Sequence, residues 1–401
     1  MAGPRHGVPG HGRRRSAGQW PVGRHPHRRA GPRLVDADPG GRRSHRRTDP
    51  VRRSRRSPTG RGGDGGASVS GLLILNRSEV RATLDMAQVV EAVEEAHAAL
   101  SSGTAVQPPR SVAEVPGTST MLVPMLAAVG PHGAAGVKLL ADTPDNRARS
   151  LPTQQSLILL VDPVTGAPEA LLDGAAVTQF RTAAASAVAT RHLARPGGSP
   201  QTLGLVGAGN QARTHLAAIR HVREIDRVVV WSRSAETVEA FREHAREHAA
   251  GVEVVVGSSP EEVVRGADIV CTLTPSHTPL VEGRWFRPGQ HINAVGAPPR
   301  PDHREIDTEG IARSRVVVDS YDTALAESGD MLLPVAEGAI TTDHFRTELG
   351  AVINGSTPGR RHEDDITLYN SVGVGIQDMS TARLVVDIAR SKNLGTELRM
   401  S

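Results

Sequence analysis

The stretch TLGLVGAGNQA at 202–212 runs an apolar segment of strand length into G-x-G-x-x-A, with Gly207, Gly209 and Ala212 at the start of a helical pattern. The first glycine permits a tight turn, and the second leaves out the side chain that would block a pyrophosphate. The small third residue lets strand and helix pack closely. The residues Gly207, Ala208, Gly209, Asn210, Gln211 and Ala212 therefore read as a dinucleotide-binding turn, whose helix N-terminus offers backbone N–H groups to an anion.

Working outward, the rhythm from about 200 alternates strand and helix. RVVVW is followed by SAETVEAFREHAREH, and VEVVV by SPEEVVRGA; then come DIVCT, HINAVGA and RVVVDS. Such alternation predicts a parallel sheet with helices on both faces, an α/β Rossmann domain. Ser259, Pro260 and Glu262 form a capping-box signature for one of its helices. The second strand ends in Trp231, Ser232, Arg233 and Ser234, with no acid to hold a ribose 2′-hydroxyl. An arginine flanked by hydroxyls suits a 2′-phosphate, so NADP(H) is expected over NAD(H).

Before the break RPGGSP (195–200) the pattern is a mixed α+β one. A strand and a helix introduced by Asp85 precede strand-like runs at 121–126, 133–140 and 155–162, and an Ala- and Ser-dense helix follows from Thr178. A last amphipathic helix spans 378–391. The expected organisation is a substrate-binding and dimerisation domain over 71–190, completed by about 366–401, around a Rossmann domain at 191–365.

Charge separates a third region. Residues 1–70 hold 17 Arg, no Lys, four Asp and no Glu, a balance of +13, so the whole-chain +4 leaves −9 for the remainder. An acidic body argues against nucleic acid as a partner of the folded part. The tail, rich in Gly, Pro and Arg, has no periodicity that could bury a core, and reads as a disordered extension or as translated sequence upstream of the true start. The single cysteine, Cys271, excludes an internal disulfide and fits a reducing cytoplasm. Apolar runs such as LILLV are far short of the roughly 18 residues a membrane helix needs.

Apart from Lys392, Lys138 is the only lysine among 47 basic residues. Either chance keeps it on the strand-like GVKLL, or the position needs an ammonium, whose pKa responds to burial as a guanidinium's does not. At the end of the DIVCT strand the sequence is LTPSHTPL, which offers Thr274, Ser276 and His277 and no carboxylate. His277 is expected to face solvent, Glu327 and Asp330 to face the pocket or cap a helix, and Cys271 to pack. No His and acid cluster has metal-ligand spacing, so no metal is expected.

From about 71 to 395 the chain resembles the ornithine cyclodeaminase and mu-crystallin family. The resemblance rests on GVKLL, LPTQQSLILLVD, LLDGAAVTQFRTAAASAVAT, LVGAGNQA, RPGQHINAVGA and AESGDM. It implies a homodimer of the fold described above. It also implies that Arg110, Lys138 and Arg181 clamp a substrate carboxylate beside Thr153, with Arg181 and Thr182 starting a helix next to the cofactor. Gln211, Thr274, Val295 and Ser371 match cofactor-lining positions.

In the cyclodeaminases the strand-end motif is of T-A-D type, and its Asp takes the proton from the attacking side-chain amine. Here the motif is T-P-S, with Ser276 at that place, and a hydroxyl without a partner is no base near neutral pH. The expectation is an NADPH-dependent reductase of cyclic imino acids such as pyrroline-2-carboxylate or piperideine-2-carboxylate. The alternatives are an alanine-type amino-acid dehydrogenase, a cyclodeaminase with a relocated base, and a non-catalytic ligand-binding protein.

Overall fold

The computed structural model describes residues 71–130, 133–197 and 199–399; the Arg-rich tail lies outside them. Leu72–Leu75 is a strand (β1), followed by helices Arg77–Thr83 (α1) and Met86–Ser101 (α2). Asp85 is the N-cap of α2, its carboxylate accepting the Gln88 N–H at 3.1 Å. Two short strands, Ala105–Val106 (β2) and Ala113–Glu114 (β3), lead into Met121–Val129 (β4), Ala135–Asp142 (β5), Gln154–Val161 (β6) and Pro168–Asp173 (β7). With the C-terminal strand Thr396–Leu398 they make an eight-stranded sheet in which β1 runs parallel to β7 and antiparallel to that last strand. The mixed sheet expected from the sequence is thus present.

Strand alternation sorts this sheet into two unlike faces. Met125, Lys138 and Ile158 lie in register on the inner face, all three buried. The outer face carries Leu126, Leu139 and Leu157, each close to half exposed at 50%, 46% and 53%. Lys138 is therefore the one charge in a buried apolar row.

Helix α3 spans Gly174–Leu193 and starts earlier than the sequence suggested, because the Asp173 carboxylate accepts the Ala175 N–H and caps it. Arg181 and Thr182 consequently sit mid-helix, not at its start. The small residues Ala183–Ala185 and Ala187–Ala189 are fully buried, which lets Ser186 Oγ come within 3.0 Å of His215 Nε2 on the next helix.

The second sheet has seven strands, all parallel. In chain order its elements are Gln201–Val206 (β8), Asn210–Arg220 (α4), Ile225–Trp231 (β9), Ala235–His248 (α5), Glu253–Val256 (β10), Pro260–Gly266 (α6), Ile269–Thr272 (β11), His291–Ala294 (β12), Thr308–Arg313 (α7), Arg315–Val318 (β13), Tyr321–Glu327 (α8), Gly329–Ala336 (α9), Leu349–Ile353 (α10) and Thr367–Asn370 (β14). The order across the sheet is β10-β9-β8-β11-β12-β14-β13. It reverses between β8 and β11, and ligands of doubly wound sheets bind at the carboxyl ends of the strands at such a switch point.

Two sequence readings are corrected. β14 pairs with β12 and β13, so the chain leaves this sheet only after Asn370, one strand later than the boundary at 365. The run TLYN is buried along its whole length, and its Thr and Asn hid it from a search for apolar runs. The capping signature at Ser259 is half realised: Ser259 Oγ accepts the Glu262 N–H, but the Glu262 carboxylate accepts from Ser258 N at 2.7 Å instead of closing the box. Finally, Gly375–Ser391 forms helix α11, which packs on the inner face of the first sheet and against α2 and α3.

Candidate active site

The glycine turn stands where the motif placed it. Gly207 has φ +118, and a Cβ there would come 2.9 Å from the Leu273 carbonyl oxygen, so the end of β8 closes on the end of β11 only through a glycine. Gly209 is different: a Cβ there meets nothing within 4 Å, and it begins α4 with no side-chain cap. The turn thus leaves an open space before uncapped helix N–H groups, the setting a pyrophosphate requires.

Beside this turn lies a cavity of about 410 Å³, lined by Arg110, Lys138, Thr153, Arg181 and Thr182 from the substrate side and by Gln211, Val295 and Ser371 from the cofactor side. The predicted residues of both groups therefore meet in one place. Gln211 Oε1 and Ser371 Oγ are buried without a protein partner, as expected of groups that await a bound dinucleotide. A nicotinamide dinucleotide fits these groups: the turn, Gln211, Val295 and Ser371 would hold it, and it would supply hydride.

Not every predicted residue reaches the cavity. Ser276 is turned away, its hydroxyl donating to the Thr278 carbonyl at 2.6 Å. Thr274 gives both its N–H and its hydroxyl to the Glu305 carboxylate, at 2.6 Å each. Ser234 caps α5, accepting from Thr237 N, and Ser232 Oγ lies 3.1 Å from Thr237 Oγ1, while Arg233 is exposed. The hydroxyls flanking Arg233 thus have local partners.

One carboxylate central to the site escaped the sequence reading. Asp378, on the first turn of α11, is completely buried and places Oδ2 2.7 Å from Lys138 Nζ and Oδ1 3.0 Å from Arg181 Nε. Oδ2 has no hydrogen-bond partner other than that ammonium. Burial pushes this carboxyl up, but the two cations outweigh it and hold it below the usual range. Burial likewise pulls the Lys138 ammonium down to about 7, against the opposing pull of Asp378. Arg181 also donates from Nη1 to Gln377 Oε1 at 2.8 Å. Asp378 was legible only as one polar residue in an amphipathic helix, and nothing local marks it as facing Lys138.

Arg110 pairs with Glu327 at 3.0 Å and donates to the Gly373 carbonyl, so Glu327 joins this group of charges. Asp330 does not line this cavity; it is buried and accepts the Glu305 and Ile306 N–H groups at 3.0 and 3.1 Å. Glu305 in turn accepts from Thr272, Thr274 and Gly296, tying the ends of β11 and β12 together. Cys271 is buried, with its thiol pushed up to about 12 by burial, which suits packing and not reactivity.

No His and acid cluster has metal-ligand spacing along the chain, yet the fold brings one together in space. The His277 ring packs on that of His303 at a tilt of 42° with centroids 3.5 Å apart, and His303 Nδ1 is 2.8 Å from Asp302. Each of the three brings a ligand-type atom within 4.8 Å of the others. They come from two different loops, so spacing along the chain could not reveal them. His277 is exposed, as expected, yet it also borders the cavity.

A doubly wound sheet, a glycine turn and an adjoining cation-lined cavity define a dinucleotide-dependent oxidoreductase of small acids. The chain belongs to the ornithine cyclodeaminase/mu-crystallin family, whose model matches residues 72–393. It is 34% identical over 329 residues to a delta(1)-pyrroline-2-carboxylate reductase of Bacillus cereus, covering 82% of this chain and 99% of that one. To the ketimine reductase mu-crystallin of Mus musculus it is 37% identical over 285 residues, 71% of this chain and 86% of the other. The solved structure of Thermococcus litoralis delta(1)-pyrroline-2-carboxylate reductase with NADH and L-proline superposes with a TM-score of 0.76 at 36% identity, covering 82% of this chain and all of that one.

Proposed function

We propose that the protein is a reductase of cyclic imino acids that uses NADPH and acts on a carbon–nitrogen double bond beside a carboxylate. The observation that carries this reading is the meeting of Arg110, Lys138 and Arg181 with Gln211, Val295 and Ser371 in one cavity, while the end of β11 presents no carboxylate to it. The clamp fixes the substrate acid, so that its planar imine carbon faces the hydride donor and orientation entropy is removed from the reaction. Cyclodeamination would need a base at the place of Ser276, and that hydroxyl is spent on Thr278. The activities named for the relatives, pyrroline-2-carboxylate and ketimine reduction, are of the same class.

The preference for NADPH rests on Arg233 at the end of β9, where no acid stands to receive a bare ribose. The protein works as a homodimer through the outer face of the first sheet, where Leu126, Leu139 and Leu157 form an apolar surface that a solvated sheet face would not carry. Among the described residues no helix is long and apolar enough to cross a membrane.

The test is reduced-nicotinamide absorbance with pyrroline-2-carboxylate and piperideine-2-carboxylate, each with NADPH and with NADH. Ornithine with NAD⁺ serves as the control. Imine-dependent oxidation of NADPH supports the reading, and ammonia release from ornithine contradicts it.

A further inference from the structure

Lys138 occupies the middle of β5, in register with Met125 and Ile158, at 1% exposure. A bare ammonium in such a row would lose its proton, because burial disfavours the charged form. What meets it is the Asp378 carboxylate at 2.7 Å from α11 and, more distantly, the Thr178 hydroxyl at 3.4 Å from α3. The same carboxylate holds Arg181, whose guanidinium is fixed on its other side by Gln377, and Gln377 Nε2 lies 2.9 Å from the buried His97. The like charges bearing on Lys138 are Arg181 and Arg110; Glu327 and the buried Asp319 offset Arg110 in turn.

We propose that Asp378 is a positioning residue that keeps Lys138 protonated within the clamp, so that Lys138 gives the imine nitrogen its proton. This rests on the reductase reading above. Asp378 at 2.7 Å and Thr178 at 3.4 Å meet the ammonium, whose three donors also serve the cavity that Lys138 lines. The imine carbon gains a C–H bond with the electron pair supplied by the reduced dinucleotide. As the C=N π pair becomes the nitrogen lone pair, the nitrogen takes a proton from Lys138 Nζ. Oxidised dinucleotide, secondary amine and a neutral lysine result, and water restores the lysine proton after the product leaves.

Burial, countered by Asp378, brings the Lys138 ammonium to about 7, within reach of a working general acid. The sign follows: the protonated form is the active one, so kcat/KM falls as pH rises through that value. Asp378→Asn removes the group that favours the cation, so the fall moves to lower pH by about one to three pH units.

The experiment uses the two-lysine composition of the chain. Protein made with isotope-labelled lysine gives NMR signals for Lys138 and for the exposed Lys392 as internal reference. The expected result is a Lys138 titration that moves acidward in Asp378→Asn, returns in Asp378→Glu, and is matched by the alkaline limb of kcat/KM. An unchanged Lys138 titration in a folded Asp378→Asn protein overturns the proposal. Should that variant not fold, Lys138→Arg decides, because a guanidinium does not titrate there: loss of the alkaline limb supports the proposal and its persistence overturns it. If the wild-type chain reduces no imino acid, the reductase reading fails on its own, while the NMR titration still reports the coupling of Asp378 to Lys138.

Discussion

A Cβ on Gly373 would stand 2.6 Å from Nη1 of Arg181. Gly373 also has φ +80, and its carbonyl accepts from Arg110, so one glycine seats two of the three clamp cations. Gly373→Ala is expected to cost about 1–3 kcal/mol of stability through backbone strain. It should also lower kcat/KM for the imino acid while dinucleotide affinity holds. Thermal unfolding beside steady-state kinetics and cofactor titration checks all three.

The two glycines of the turn predict opposite failures. Gly207→Ala forces a side chain into φ +118 against the Leu273 carbonyl and should lower stability by about 1–3 kcal/mol. Gly209→Ala meets no protein atom, so the fold should keep its stability while the methyl group occupies the space before the uncapped α4 N-terminus. A loss of roughly tenfold in dinucleotide affinity, about 1.4 kcal/mol, is expected for it by fluorescence titration. Equal affinity in Gly209→Ala would remove the pyrophosphate from this turn.

These contrasts show what the sequence could tell. The Rossmann half was legible because its signals are local: an apolar run ending in Gly207, an acid-free strand end at Trp231, Asp and Ser caps before helices. Lys138 stood out as one of two lysines, but its grouping with Arg110 and Arg181 came from a family likeness, since the three lie on separate segments that nothing in the sequence brings together. Asp378 was missed for the same reason, being a long-range ion-pair partner on an ordinary amphipathic helix. Ser276 and Thr274 were placed correctly along the chain and wrongly in space, because hydroxyls bond to whichever neighbour the loop offers. Burial of TLYN between β12 and β13 is likewise a tertiary fact.

The proposed preference for NADPH rests on Arg233. Arg233→Ala should raise KM for NADPH by about tenfold or more, the loss of a charge-assisted contact worth roughly 1.5–3 kcal/mol, and leave KM for NADH nearly unchanged. Parallel saturation curves with the two dinucleotides measure this. Equal effects on both would mean that Arg233 faces solvent in the complex.

The outer face of the first sheet predicts assembly. Leu157→Arg adds a charge to the exposed row formed with Leu126 and Leu139, on the face opposite Lys138. Sedimentation should show a dimer for the parent chain and a shift to monomer for the variant, because an unpaired buried charge at an interface is costly. A parent chain that sediments as a monomer at every concentration tested would contradict the dimer.

The most direct test of the clamped-imine account is the initial rate of NADPH oxidation with pyrroline-2-carboxylate, measured for the parent chain and for Arg181→Ala side by side. The expected result is turnover by the parent and a fall in kcat/KM of about a hundredfold in the variant, roughly 2–3 kcal/mol of lost transition-state binding. Equal rates in the two proteins, or a folded parent chain that oxidises NADPH with no cyclic imino acid, would contradict it.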